Sequence, residues 1–331
     1  SSAGPTAAIL PSRAAIAASA GGPAGGAPGN PGEAVQIRAL TYRRACTDTR
    51  LPASRRQRQA DAKIVWMHPT EGTAPSAVTF ANLWWQGRWL HDATVRMDGA
   101  GHCLEVSQGR RGTAVPYISG LTLPGIVDAH CHAFQRALGP WTQRAAGQRD
   151  DFWSWRETMY ALAGRLQPDD LEAISARCYL ELLRGGYTHV AEFLYLHRLG
   201  NGPAPDADQS IAAGARQAGI GLTLLPTLYQ QAGFGGAAPL PGQRPFVRSM
   251  AQFLADWQEL RQRYPAGNPI GLGAAFHSLR AVDVEVIARV AETLREDPLC
   301  RCLHIHVAEQ PAEVSACIKQ HGLPPVALLA S

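Results

Sequence analysis

The sequence of 331 residues has no apolar run of about 20 residues, the length that a membrane-spanning helix needs. Its formal net charge of +4 is small for this length and gives no basis for nucleic-acid binding. Much of the positive excess lies between Arg43 and Arg58, away from the candidate site described below. Charged residues make up 18% and apolar residues 46%, as is typical of a globular protein with a sizeable core. We therefore predict a soluble protein that binds neither membranes nor nucleic acid.

Cysteines are few, odd in number and scattered, with seven in the whole chain. This pattern predicts reduced thiols rather than a disulfide framework. Cys300 and Cys302 flank one residue on a predicted strand, and we interpret them as buried core rather than a metal site. The start of the sequence has no compact apolar segment behind a basic stretch, so it does not resemble a signal peptide. We predict a cytoplasmic protein and keep an Arg- and Ala-rich transit peptide as the alternative.

Residues 1–75 carry the weakest secondary-structure signals of the sequence. The first 32 residues are rich in Ala, Gly, Pro and Ser, and the stretch that follows is polar and basic. Such a composition buries too little apolar surface to offset the entropy lost on ordering. We predict a disordered extension, or upstream sequence that is not part of the functional protein.

The sequence pattern changes after residue 75, where short strands and turns are predicted to begin. Residues 78–85 alternate as a strand does, and 87–90 predict its hairpin return. Residues 93–97 and 104–106 predict two further strands. We interpret 76–123 as part of a small β-sandwich domain.

From residue 124 onward, strand patterns alternate with helix patterns, which predicts a parallel α/β architecture. The predicted strands after the first are 187–196, 220–229, 270–276 and 300–308, and the predicted helices are 168–184, 206–218, 246–264, 282–295 and 311–320. About five strand–helix units can be counted over 124–331, whereas a closed barrel has eight. The order alone does not separate a partial barrel from a doubly wound sheet.

The chain is organised around the run from Val127 to Gln135, which reads Val-Asp-Ala-His-Cys-His-Ala-Phe-Gln. A Pro-Gly turn precedes it and predicts the beginning of a buried strand. Alternate side chains of a strand share a face, so His130 and His132 are expected to point the same way, together with Asp128. Two imidazoles at a strand end form a suitable half-site for a divalent metal such as zinc.

A second histidine-rich strand, Leu303 to Gln310, supplies the remaining candidates. His306 can complete a three-histidine metal site with the first pair, and Glu309 just past the strand end can act as a general acid and base. His304 shares the face of His306, and we interpret it as a group behind the ligands. The alternative for His306 is a core histidine satisfied by hydrogen bonds.

Polar residues also follow the other predicted strands, where the strand ends of a barrel would converge on one mouth. Glu192 and Tyr195 end one strand, and His277 and Arg280 end another. This placement favours a barrel over an open sheet.

The run 124–135 resembles the first-strand signature of the amidohydrolase superfamily. A finer resemblance is to the formimidoylglutamate deiminases and rests on residues 152–160, 191–197, 275–282 and 304–310. The resemblance covers about 78–331 and implies a (β/α)8 barrel with a small β-sandwich and one zinc ion per chain. It also implies hydrolysis of N-formimidoyl-L-glutamate to N-formyl-L-glutamate and ammonia, as part of histidine degradation.

Position by position, the resemblance implies that His130, His132 and His306 are metal ligands and that Glu309 is the proton shuttle. It assigns substrate contacts to Gln135, Arg156, Tyr195, His277 and Arg280. The two guanidinium groups suit a substrate with two carboxylates. The alternatives are surface ion pairs for the arginines and ordinary packing for the glutamine and tyrosine.

The family pattern continues beyond residue 331 with a further strand-end histidine and a metal-binding aspartate. We therefore expect this polypeptide alone to be inactive or very weak. We also expect a small-molecule substrate as its partner and consider a homodimer. The other hypotheses are an aminohydrolase of nucleobase type, which needs no pair of arginines, and a non-catalytic fragment.

Overall fold

The computed structural model describes residues 76–98, 103–109, 112, 114–139, 152–197, 199 and 207–331, together with three short strands nearer the N-terminus. The predicted extension over 1–75 lies outside the described residues except for those strands. Within the described part, no helix has both the length and the apolar character that a membrane crossing requires.

Strands and helices alternate through the second half of the chain. The described strands are β1 (Ala7–Leu10), β2 (Ala39–Tyr42), β3 (Lys63–Ile64), β4 (Ala77–Trp85), β5 (Arg88–Met97), β6 (Cys103–Gln108), β7 (Tyr117–Pro124), β8 (Ile126–Cys131), β9 (Tyr187–Leu194), β10 (Gly221–Leu228), β11 (Ile270–Ser278) and β12 (Cys300–His306). The described α-helices are α1 (Phe152–Ala163), α2 (Pro168–Arg184), α3 (Ala207–Ala218), α4 (Met250–Arg263), α5 (Val284–Arg295), α6 (Pro311–His321) and α7 (Pro325–Ala330). Two short 3-10 helices occupy Ala133–Leu138 and Pro241–Gln243.

The sheet that carries the candidate site has the order β1-β12-β11-β10-β9-β8. Strands β9 to β12 pair in parallel with helices between them, and β8 lies beside β9. Strand β1 pairs antiparallel with β12 at the other edge. Strand β10 is buried along its whole length, which is characteristic of a parallel sheet covered on both faces. The five strands from β8 to β12 confirm the predicted partial (β/α)8 barrel of TIM type.

The second sheet has the order β3-β2-β7-β4-β5-β6. Strand β4 pairs antiparallel with β5 and parallel with β7. One face buries a compact apolar cluster that includes Phe80, Leu83 and Val95. The chain divides into two compact units, one of 1–22, 128–181 and 189–331 and the other of 23–127 and 182–188. The β-sandwich assignment and the boundaries proposed over 76–123 and 124–331 stay predictions.

Three local predictions were wrong. Strand β8 does not begin buried, since Ile126 and Val127 are about half exposed; among the described strands it lies at the edge of its sheet, beside β9. The predicted hairpin return and the strand after it are one continuous strand, β5, which passes through Asp92 at φ +47°. Helix α4 begins four residues later than expected because Ser249 caps it, its hydroxyl accepting the N–H of Gln252.

Candidate active site

Three imidazoles from opposite ends of the barrel segment meet at one point. His130 lies on β8, His132 follows directly after that strand, and His306 is the last residue of β12. His306 Nε2 lies 3.1 Å from His130 Nε2 and 3.2 Å from His132 Nε2. Among the described residues, this is the one group of three or more metal-binding side chains whose ligand atoms all lie within 4.8 Å of one another.

The spacing and chemistry of this group suit a divalent metal ion. Tetrahedral ligands at the usual zinc–nitrogen distance lie about 3.3 Å apart, close to the two separations observed here. The ring of His132 shows which nitrogen is available. Its Nδ1 lies 3.1 Å from the carbonyl oxygen of Phe193, which can only accept, so Nδ1 carries the proton and Nε2 keeps its lone pair.

Burial keeps these imidazoles neutral, the form that binds metals. It lowers the pKa of His130, and it holds the pKa of His132 and of His306 well below the ordinary range. Neighbouring histidine charges add to the effect of burial at His132 and His306, because each proton bound would repel the next. The three residues therefore present uncharged nitrogen donors at neutral pH.

The ring of Phe193 forms the apolar support beneath the cluster. It stacks on His306 with ring centroids 4.3 Å apart and packs edge-on against His130 and His132 at 5.3 and 5.1 Å. Together with its carbonyl oxygen, this residue fixes the ring planes of the three histidines. Such groups around a metal site commonly tune its affinity.

An acidic and basic pair lies beside the histidines. Glu309 Oε2 contacts Arg280 Nη2, and both side chains are largely buried. Arg280 Nε also lies 3.4 Å from Glu313 Oε2, on the first turn of α6. One guanidinium thus lies between two carboxylates.

A cavity of about 380 Å³ opens next to the cluster. Eight of the nine residues singled out from the sequence line it, and the ninth, His130, contacts two of them, His132 and His306. The eight are His132, Gln135, Arg156, Tyr195, His277, Arg280, His306 and Glu309. The structure therefore brings all the predicted site residues together, while their individual roles stay predictions.

Hydrogen bonds orient two of the predicted substrate contacts. Gln135 Nε2 donates to the hydroxyl oxygen of Tyr195 at 2.8 Å, and that hydroxyl donates to Met159 Sδ at 3.2 Å. Arg156 lies over the ring of Tyr160 at 5.6 Å. Burial and the nearby Arg280 hold the pKa of His277 well below its usual range, so its ring is neutral.

Sequence reasoning did not assign a role to Glu192, although it noted the residue at a strand end. Its side chain is fully buried, and it accepts the N–H of Ala133 at 2.8 Å and the hydroxyl of Tyr179 at 3.0 Å. It thereby fixes the turn that directly follows His132. Burial raises the pKa of this carboxyl to about 7. A charged residue inside the apolar second half of strand β9 was the signal that could have found it.

Tyr229 was also missed as a wall of the cavity. Its hydroxyl accepts from Gln243 Nε2 at 2.6 Å, and Gln243 is itself buried. Nothing local in the sequence links these residues, which come from a strand end and a 3-10 helix. His304 is buried near His130 and is not part of the three-histidine group; its predicted place behind the ligands stays a prediction. Cys300 and Cys302 are free thiols outside any such group in the described residues.

Residues 121–324 match the model of the amidohydrolase family, which is well over half of the chain. Formimidoylglutamate deiminase of Pseudomonas aeruginosa is 39% identical over 242 residues, which are 72% of this chain and 52% of that protein. The chain thus spans about half the length of this curated relative.

Two solved structures are similar to this chain in fold. A crystal structure of an amidohydrolase from Brucella melitensis has a TM-score of 0.68 and 34% identity, covering 77% of this chain and 56% of that one. An adenosine deaminase from Xanthomonas campestris, solved with bound zinc, has a TM-score of 0.55 and 20% identity, covering 77% and 54%. The second likeness is one of fold alone.

Proposed function

Because this chain belongs to the amidohydrolase family, we propose that its site hydrolyses N-formimidoyl-L-glutamate to N-formyl-L-glutamate and ammonia. The observation that supports this most is the sharing of one cavity by the histidine cluster and by two arginines, Arg156 and Arg280. A linear amidine with two carboxylates has chemistry that complements both the histidine cluster and the two arginines. The similarity to the Pseudomonas aeruginosa deiminase supports the same substrate.

The histidine cluster fits one divalent ion, and we propose zinc, held by His130, His132 and His306. When bound, such an ion supplies Lewis-acid chemistry that lowers the pKa of water towards neutrality. The remaining steps fall to side chains of the chain itself.

Water adds to the formimidoyl carbon, and the bond from that carbon to the terminal nitrogen breaks. Glu309 lines the cavity beside the cluster, where its carboxylate can take the proton from the attacking water. The same proton then passes to the departing nitrogen of the cationic amidine, which leaves as ammonia, and the remaining hydroxyl proton of the added water is lost to the Glu309 carboxylate as the formyl C=O bond forms. The ring centroids of His277 and His306 are 5.2 Å apart. From this position neutral His277 offers a hydrogen bond to the reacting group.

In the same cavity, Arg156 and Arg280 bind the two carboxylates through their planar donor groups. Tyr195, positioned by Gln135, adds a hydroxyl to this set. These contacts place the amidine against the histidines, because only one orientation satisfies both charged ends.

The test is ammonia release by the zinc-loaded chain from N-formimidoyl-L-glutamate and, separately, from adenosine. We expect slow, metal-dependent release from the first substrate and none above background from the second. Glu309→Gln should lower the rate at least about 100-fold, as loss of a general acid and base does, at unchanged zinc content. Glu285→Gln, on the exposed first turn of α5, is the matched control.

Two results would count against the proposal. Faster release from adenosine would favour a nucleobase-type aminohydrolase. Identical ammonia release with and without bound metal would remove the catalytic role of the cluster.

A further inference from the structure

Arg280 has two carboxylate partners that differ in their surroundings. Glu309 lies on the wall of the cavity, where a ligand can reach it. Glu313 lies behind the guanidinium, and its side chain is completely buried. Glu313 Oε2 also accepts the backbone N–H of Glu309 at 3.0 Å, so its position is tied to the main chain.

This arrangement gives Arg280 one fixed partner and one that can leave. The Nε contact with Glu313 at 3.4 Å keeps a negative charge against the inner edge of the guanidinium. The outer edge, through Nη2, is occupied by Glu309. A guanidinium carries five donors in a planar fork, so a ligand carboxylate reaching the cavity competes with Glu309 for that outer edge.

We propose that Arg280 exchanges partners: Glu309 occupies its outer edge in the free protein, and the carboxylate of a substrate displaces Glu309 when it binds. The proposal rests on the proposed function and extends it to substrate selection. Throughout the exchange Glu313 keeps the guanidinium in place, as a positioning residue.

The exchange links recognition of an acidic substrate to proton transfer. While Glu309 is paired with Arg280, the charge of its carboxylate is compensated, so it is a weaker base for the attacking water. A substrate carboxylate that takes over the guanidinium releases Glu309 for the attacking water. An amidine without a carboxylate does not release Glu309 from Arg280 when it binds. Such an amidine is therefore a poor substrate even when it fits the cavity.

Glutarate tests the exchange without any chemistry, because it carries two carboxylates and no amidine. Its affinity is measured by titration calorimetry on the full chain and on Glu309→Gln. The neutral amide competes less well for the guanidinium, so we expect glutarate to bind about fivefold more tightly to the variant, in which the competing ion pair is lost. Glu285→Gln should leave the affinity within twofold of the parent.

A double-mutant cycle separates exchange from the general effect of removing a negative charge near an anion. In the Arg280→Gln background, Glu309→Gln should change glutarate affinity by less than twofold. Equal tightening with and without Arg280 would overturn the proposal, as would no tightening in Glu309→Gln or no glutarate binding to any variant. Ammonia release from N-formimidoyl-L-glutamate is scored separately, so the exchange can fail while the proposed function stands, and the reverse.

Discussion

The Nε2 atoms of His130 and His306 lie 3.1 Å apart, although 176 positions separate the two residues in the sequence. Both rings are neutral at physiological pH because burial lowers their pKa. Two Nε2 atoms that both keep their lone pairs would repel each other at this distance, and a shared cation would turn that repulsion into coordination. The strand ends of a barrel converge on one mouth, and β8 and β12 both belong to the barrel segment. This convergence explains why the two Nε2 atoms lie in contact.

Phe193→Leu should weaken metal binding while leaving all three ligands in place. The substitution removes the ring that stacks on His306, so the imidazole planes become less constrained. We expect roughly a 10-fold loss of zinc affinity, the lower end for groups that orient ligands, measured by competition with a chromophoric chelator.

The matched control for that change is Phe276→Leu. Phe276 is also fully buried, on the neighbouring β11, and makes none of the described ring contacts with the cluster. Both variants should lose similar stability to thermal unfolding. Equal loss of zinc affinity in the two variants would show that Phe193 acts only through general packing.

Gln135→Leu should destabilise the wall of the cavity. The buried hydroxyl of Tyr195 loses the donor that now lies 2.8 Å away. We expect the free energy of unfolding to fall by about 1 kcal/mol, the usual net value of one hydrogen bond, in urea titrations followed by tryptophan fluorescence. Gln258→Ala, at an exposed position of α4, should change it by less. An unchanged stability in Gln135→Leu would contradict the structural role given to this pair.

Glu192 should make stability depend on pH in the acidic to neutral range. Burial raises the pKa of this carboxyl from 4.5 to about 7 in the folded protein. Between these values the unfolded chain has lost the proton that the folded chain retains, so the contribution of Glu192 to stability falls as pH rises, while the buried histidines with lowered pKa contribute in the opposite direction. Each pH unit in this window lowers the contribution of Glu192 to the free energy of unfolding by about 1.4 kcal/mol, or by about 3 kcal/mol over the whole window.

The measurement is urea unfolding at pH 5, 6 and 7, for the parent and for Glu192→Gln. The variant cannot ionise at this position, so its free energy of unfolding relative to that of the parent should rise across the range, because the histidine contributions are common to both proteins. Glu259→Gln, an exposed substitution on α4, should keep the slope of the parent. Identical slopes for Glu192→Gln and the parent would refute the raised pKa.

The candidate cluster could be predicted from the sequence because its signals are local. A His-x-His pair after an apolar strand and a second histidine strand followed by Glu309 are both readable in short windows. Parallel strands of a barrel place their ends at one mouth, so finding the ends was sufficient to bring the residues together. The amphipathic pattern of α2 and the turn after it predicted the helix and its end for similar reasons.

The residues that sequence reasoning missed act through contacts between distant segments. Glu192 holds the backbone of Ala133, 59 residues earlier, and Glu313 was not recognised as a partner of Arg280. The exposure of Ile126 followed from the position of β8 at a sheet edge, which an apolar pattern does not encode. These contacts and this exposure depend on strand pairing and burial, which composition and periodicity do not encode.

The central claim is that three histidines share one divalent ion. Zinc is measured by inductively coupled plasma mass spectrometry, after dialysis against zinc and then buffer, in the parent, His130→Ala, His306→Ala and the control His321→Ala. His321 ends α6 and is not part of the three-histidine group. The account predicts close to one zinc per chain in the parent and the control, and less than a tenth of that in the other two variants. Equal zinc in all four proteins would contradict it.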